Sequence, residues 1–209
     1  MFFVPFTASK IAKNIYITSF MKTATSSDKQ AVIAILTASF KNNKSVNYIV
    51  LQDKKKSLRV ERLMAYAFEM CMLFGKVYLS DDQNACALLL HPESKKTTIK
   101  TLWLDLKVAF GVIGILNIKK ALLRERQSKA RDQHTTMAYL WFLGADPKVQ
   151  GTGVGKKLMI EMMEKEAADG RRIYLETSTL VNIPWYEKLG FEVYKRLNVG
   201  YELFFLRRS

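Results

Sequence analysis

The chain has 209 residues, of which 49% are hydrophobic, 25% charged and 11% aromatic, the proportions of an ordinary globular protein. That apolar content excludes disorder as the main state, and 10 Gly with 4 Pro exclude collagen-like and low-complexity chains. Lys+Arg of 33 against Asp+Glu of 19 gives a net charge of +14, which favours anionic partners (phosphate, nucleic acid, acidic lipid or an anionic cofactor) without choosing among them.

The length suits one large domain, and no linker composition divides it. Residues 1–20 read as an N-terminal extension and 21–209 as a single domain. The start, Met1-Phe-Phe-Val-Pro-Phe6, has no basic residue before its short apolar run and makes a poor secretory signal. The absence of acids before Asp28 gives it a faint likeness to an organelle transit peptide. Cys71 and Cys86 make no disulfide framework, and with His91 and His134 they match no metal-ligand spacing. A reducing, cytoplasmic setting follows, with both thiols packed as small hydrophobes.

In chain order, residues 28–40 and 57–74 carry apolar positions three and four apart and predict two helices, the second stopped by Gly75. Residues 76–80 and 85–90 predict a hairpin around Asp81-Asp82-Gln83-Asn84, ended by Pro92. Residues 97–133 are helical in pattern, with a break near Gly111 or Gly114. Residues 95–131 hold ten basic and two acidic side chains, most simply a solvated helix face over 119–131. The apolar stretch 108–116 is far shorter than the roughly 20 residues of a membrane span, so no span is expected.

Residues 135–143 read as a buried central strand, and Asp146-Pro147 turns the chain. A helix follows over 153–169, with Glu161 and Lys165 placed to pair on its wet side. A strand over 172–176 leads to a short helix with Asn182 as its cap and Pro184 in its first turn. Two last strands cover 191–196 and 201–207. This order predicts a mixed α/β sheet.

Between strand and helix lies Gln150-Gly-Thr-Gly-Val-Gly155. Its glycines let the backbone approach a ligand, and the helix start adds free N–H donors and a positive dipole end, together a phosphate cradle. The Walker and dinucleotide spacings both fail: Lys156 is followed by Lys157, with no hydroxyl for magnesium, and Ala145-Asp-Pro-Lys-Val149 separates the glycines from the strand.

The segment Gln150-x-x-Gly153-x-Gly155 resembles the pyrophosphate loop of the GNAT (GCN5-related) N-acetyltransferases. The likeness extends over Leu140-Trp-Phe-Leu-Gly-Ala-Asp-Pro147, Tyr174-Leu-Glu-Thr-Ser178 and Asn182-Ile-Pro-Trp-Tyr-Glu-Lys-Leu-Gly-Phe191, in the family's order and spacing. It implies a mixed, mostly antiparallel sheet of about seven strands flanked by helices, with a helical insertion before the central strand. It also implies acetyl-coenzyme A in a cleft where the strands ending near Leu143 and Glu176 splay apart. On that resemblance Leu143, Gly144 and Ala145 lie along the pantetheine arm. Gln150, Gly151, Thr152, Gly153, Val154, Gly155 and Lys156 hold the pyrophosphate, Asn182 touches the arm, and Tyr186 sits at the thioester sulfur. No metal is implied.

The chemistry agrees with those residue types. A primary amine of pKa about 10.4 needs about 4.6 kcal/mol to lose its proton at pH 7. The free amine attacks the thioester directly, main-chain N–H groups steady the oxyanion, and a phenol such as Tyr186 protonates the leaving thiolate. The glutamate that histone-acetylating members carry on the central strand aligns with Trp141, so Glu176 is the candidate base, with a structural carboxylate as the alternative. Trp103, Phe110, Gly111 and Gly114 are candidates for an acceptor lid, or for plain core. The reading is an acetyl-coenzyme A-dependent N-acetyltransferase of a small-molecule amine. A non-catalytic acyl-coenzyme A-binding or regulatory protein of the same fold is the alternative, nucleic-acid binding by the basic segment is not expected, and a homodimer is left open.

Overall fold

The computed structural model describes residues 19–208 apart from 115–116 and 119–135. The expectations for the N-terminal extension over 1–18, for His134 and for the basic helix face over 119–131 lie outside the described residues.

The described elements are β1 (Met21–Thr23), α1 (Lys29–Phe40), α2 (Lys44–Ile49), α3 (Lys56–Phe74), β2 (Gly75–Ser80), β3 (Ala85–Leu90), α4 (Ile99–Val108), β4 (Met137–Ala145), α5 (Val154–Ala168), β5 (Arg172–Thr177), α6 (Ile183–Glu187), β6 (Glu192–Asn198) and β7 (Glu202–Arg208). The strands form one seven-stranded sheet in the order β1-β2-β3-β4-β5-β7-β6. Only β4 and β5 pair in parallel; every other pair is antiparallel. The expected mixed, mostly antiparallel sheet flanked by helices is therefore present, with α4 inserted before the central strand. Among the described residues no helix is long and apolar enough to cross a membrane.

Strand alternation sorts side chains to two cores. Val77, Leu79, Cys86 and Leu88 face α1 and α3, where Leu36, Met64 and Phe68 are buried. Tyr78, Ala87, Leu89, Leu140 and Leu175 face α5, against Leu158, Met159 and Met162. Each fully buried Leu or Phe there contributes about 1.5–3 kcal/mol. Both cysteines are free and buried.

Two breaks fall where the sequence put them, at Gly75 and Gly114, and other local expectations are corrected. α3 ends at Phe74, against Gly75 as expected, and the Gly75 φ of −175° is extended rather than left-handed. Gly75 opens β2, and a Cβ there would fall 2.0 Å from the Leu89 carbonyl oxygen, so glycine is required by the close approach of β3. The helical insertion breaks at Gly114 (φ +73°), after a single π-turn over Ala109–Ile113. Asn182 precedes α6 without a side-chain capping bond. Glu161 does not pair with Lys165. It accepts from the Phe20 N–H at 3.0 Å and from the Ser19 hydroxyl, and so fastens the start of the β1 edge to α5. β1 and α2 were not anticipated.

Candidate active site

The sheet splits at one place. Pairing between β4 and β5 ends at Leu140 and Leu175, while β4 stays paired to β3 through Ala145 and β5 to β7 through Thr177. The opening is a cleft of about 180 Å³, lined from β4 by Tyr139 to Leu143, from β5 by Leu175 to Thr177, and beyond them by Asn182 and Tyr186. The resemblance implied a split between these two strands, near Leu143 and Glu176.

Main-chain groups reach this cleft by simple alternation. The Asp146 N–H donates to Asn84 across to β3 at 2.8 Å, and Gly144 sits in register with Cys86. Peptide groups alternate along an antiparallel strand, so those of Leu143 and Ala145 turn away from β3, toward the split. The Ala145 carbonyl is taken by the Ser39 hydroxyl at 2.7 Å. Its N–H, and both peptide groups of Leu143, face the opening. Gly144 differs from its expected role: it turns to β3, and a Cβ on it would lie 3.0 Å from Leu36 and 3.1 Å from Ser39 Oγ. It is the glycine that lets α1 close on β4.

A bulge in β4 decides which side chains line the cleft. Leu88 pairs with Phe142 and Leu89 with Leu140, leaving Trp141 as the extra residue. Alternation is reset there, so Trp141 and Phe142 both lie on the α1/α3 side, with ring centroids 5.5 Å apart. Trp141 also meets Tyr66 edge-on at 5.9 Å, and Tyr66 donates its hydroxyl proton to Asp105 on α4 at 2.7 Å. Phe40 packs edge-on against Phe142 at 5.0 Å. Asn43, Val46 and Ile49 bring α2 to the same wall.

At the start of α5 the chain turns through three glycines. Gly151 and Gly153 both have φ +89°, a conformation that L side chains rarely adopt, and an added Cβ on Gly151, Gly153 or Gly155 would meet no atom within 4 Å. The first backbone bond into the helix runs from the Lys157 N–H to the Gly153 carbonyl at 2.9 Å. The N–H groups of Val154, Gly155 and Lys156 therefore have no helical acceptor and point out at the positive end of a 15-residue helix. Thr152 is used within the turn instead: its hydroxyl and its N–H both donate to the Val149 carbonyl. Gln150 is exposed beside it.

A model of the acetyltransferase (GNAT) domain matches residues 108–193. Solved structures share its fold. One, described as histone acetyltransferase HPA2 and related acetyltransferase from Corynebacterium glutamicum, has 18% identity and a TM-score of 0.67, covering 90% of this chain and 94% of that one. Arylalkylamine N-acetyltransferase 2 from Aedes aegypti has 16% identity and a TM-score of 0.61, covering 90% and 96%. A mosquito arylalkylamine N-acetyltransferase like 5b has 16% identity and a TM-score of 0.55, covering 90% and 98%. At such identities the likeness is one of fold.

Within the matched segment, Tyr186 is buried on α6, its ring against Trp185 at 4.8 Å and Phe191 at 5.8 Å. It belongs to the α5 side of the sheet and still lines the cleft. Its hydroxyl bonds to no described residue, and burial pushes its pKa up to about 12, so it is a neutral phenol at any ordinary pH. Glu176 lines the cleft at the end of β5, in register with Phe205 and in phase with Tyr174, on the opposite face. Among the described residues no group of His, Cys, Asp and Glu is arranged to hold a metal ion.

Other candidates sit elsewhere. His91 is buried just after β3, its Nε2 3.2 Å from Glu166 Oε2, and it does not line the cleft. Trp103 on α4 and Phe110 in the π-turn after it are exposed rather than core, and neither lines the cleft.

One buried charge escaped the sequence. Glu166, near the C-terminal end of α5, is fully buried; Tyr78 donates to its Oε1 at 2.7 Å, and Lys76 Nζ lies 3.3 Å away. Burial alone would raise its pKa, but His91, Tyr78 and Lys76 together hold it down to about 2. The signal was legible: Glu166 follows Met159 by seven and Met162 by four, inside an apolar stripe.

Proposed function

We propose that the protein is an acetyl-coenzyme A-dependent N-acetyltransferase of a small primary amine with an aromatic or apolar body, built as one domain over residues 21–209. The observation that carries this reading is the cleft through the split sheet. It has an N–H cradle at one end, an unpartnered phenol on one face and an aromatic wall on the other. The names of the mosquito neighbours support the aryl body.

The residues fit an acyl-coenzyme A. The glycines of the cradle leave open space where side chains would stand, and the free N–H groups of residues 154–156 suit a pyrophosphate. Gln150 and the exposed Lys156 flank them, and Asn182 at the cleft rim is placed for the pantetheine arm. The split edge at Leu143 and Ala145 offers a strand-like ladder to that arm and an N–H to the acyl oxygen. Bound there, acetyl-coenzyme A supplies an activated acetyl thioester.

The protein's part is then to hold an amine, take its proton and steady the leaving sulfur. Glu176 holds the ammonium and passes its proton to water, and Trp141 with Phe40 and Phe142 covers the apolar body. Tyr186 donates a hydrogen bond to sulfur as charge grows there. Handing its proton fully to a thiolate of pKa about 8.5 would cost about 5 kcal/mol from a phenol held near 12, so Tyr186 acts mainly as a fixed neutral donor and recovers any transferred proton quickly. Buried free thiols keep the reading of a reducing, cytoplasmic setting.

The test begins with the melting temperature of the full chain, with and without acetyl-coenzyme A. A ligand at a hundred times its dissociation constant adds about 2.7 kcal/mol. A rise is expected, followed by free thiol release that depends on an added arylalkylamine. Trp141, at the family's glutamate position, motivates a second reading, a non-catalytic acyl-coenzyme A binder. Ligand stabilisation without thiol release across an amine panel would establish it, and no stabilisation would end both.

A further inference from the structure

We propose that α4 is a membrane-docking element that lays the protein on an anionic lipid surface. α4 is apolar on two sides. One side faces inward: Thr101 and Val112, the latter in the π-turn that continues the helix, are buried, and Leu104 and Val108 are half-buried. The other faces solvent, with Ile99 88%, Trp103 58% and Phe110 62% exposed and with Leu102 and Leu106 exposed between them. At about 100° per residue these five side chains share one stripe roughly 100° wide, opposite the buried side.

The stripe is a fixed feature. Tyr66 binds Asp105, Lys100 approaches Glu69 at 3.5 Å, and Arg59 donates to the Gly111 carbonyl at 2.8 Å while gripping Asp53 with two bonds. The Leu51 N–H donates to the Val112 carbonyl at 3.0 Å. The helix is thus clamped on its inner side, and five large apolar side chains are held out in water.

Charge selects the occupant. Lys100 and Lys107 stand together along one border of the stripe, and Lys107 Nζ lies 5.1 Å over the Trp103 ring. Lys95 and Lys96 precede the helix in sequence. An aliphatic and aromatic stripe bordered by lysines matches an interfacial helix, with its apolar side in the acyl boundary and its cations at acidic headgroups. A second copy is disfavoured, because stripe-to-stripe packing would set the lysine borders of two +14 chains against each other.

The test is co-sedimentation of the full-length protein with vesicles of phosphatidylcholine alone or mixed with phosphatidylserine, together with tryptophan emission. The wild type is expected to sediment with the mixed vesicles, with a blue shift from Trp103, and to stay in solution with phosphatidylcholine alone. The double variant Trp103→Ser/Phe110→Ser is expected to lose sedimentation with no loss of melting temperature or of acetyl transfer to a soluble amine. Lys107→Gln is expected to weaken binding about fivefold, the equivalent of ~1 kcal/mol per cation near the surface. Absence of wild-type binding, equal binding to both vesicle types, or binding unchanged in the double variant overturns the proposal. A dimer in solution that the double variant splits also overturns it, since a second copy then covers the stripe.

Discussion

Tyr186 and Glu176 reach one cleft from opposite faces of the sheet. Tyr186 packs into the core beneath α5, whereas Glu176 follows Tyr174 onto the face shared with Tyr194. The split between β4 and β5 lets a donor and a carboxylate on different faces address the same small volume. A continuous ladder would keep them apart by the thickness of the sheet. The bulge at Trp141 adds to this, since it turns two successive aromatics onto the Glu176 side.

Tyr186→Phe is expected to lower kcat by about 100-fold, the low end for a positioned proton donor, because the phenol is held near 12 and is a weak acid. The hydroxyl has no partner among the described residues, so the melting temperature and the KM for acetyl-coenzyme A stay close to wild type. Unchanged thiol release would remove Tyr186 from the mechanism. With the wild type, the rate rises with pH toward the amine's own pKa of about 10.4, and Tyr186 adds no falling limb below about 12.

Glu176→Gln separates the two roles of the cleft. The amine side loses its carboxylate and the cradle is untouched. The expected result is a fall in kcat/KM for the amine of at least about 10-fold, with acetyl-coenzyme A still raising the melting temperature as in wild type. Rescue at high pH, where the amine arrives already neutral, supports a proton-handling role. A stability loss with kinetics unchanged would make Glu176 structural.

Glu166 gives a pH prediction of known sign. Its folded pKa of about 2 lies below the ordinary 4.5, so its contribution to stability is complete above about 4.5 and is lost as pH falls toward about 2. Glu166→Gln is expected to cost about 3 kcal/mol at neutral pH, and the difference from wild type should close as the pH approaches 2. Urea unfolding of both proteins from pH 7 to pH 2.5 checks this. A gap that stays constant with pH would mean that the carboxylate's charge contributes nothing. Because Glu166 pins one end of α5 and the cradle forms the other, the variant also tests how firmly that helix must be held to bind ligand.

The glycine turn and the central strand were legible from local chemistry: glycines with left-handed φ at 151 and 153, a turn at Asp146-Pro147, and an apolar run long enough for a central strand. The seven-stranded sheet and its split came only from the resemblance to the GNAT family. The bulge at Trp141 was not legible. A run in which every residue is apolar carries no period, so nothing in it marks a reset of alternation. α2 has six residues and β1 three, too few for a pattern to emerge. The two-sided helix α4 misled for another reason. Periodicity reports an apolar face but not whether a core meets it, and the covered face runs through 101, 104 and 108 while Trp103 and Phe110 look outward. Only packing distinguishes them.

The cradle makes the sharpest prediction, because two of its glycines are there for different reasons. Gly153 has φ +89°, so Gly153→Ala strains the backbone by about 1–2 kcal/mol and lowers the melting temperature of the free protein. Gly155 lies in the first turn of α5, outside the left-handed region and with open space around it, so alanine there gains at most about 1 kcal/mol of helix propensity and raises that temperature. Both substitutions place a methyl group where a pyrophosphate would approach. Gly155→Ala is therefore expected to be the more stable protein alone and the less stabilised one with acetyl-coenzyme A, its ligand-induced shift falling by at least half. Two melting curves with and without ligand decide it. If Gly155→Ala gains in both conditions equally, no ligand group approaches that turn, and the anion must be held elsewhere on the basic surface.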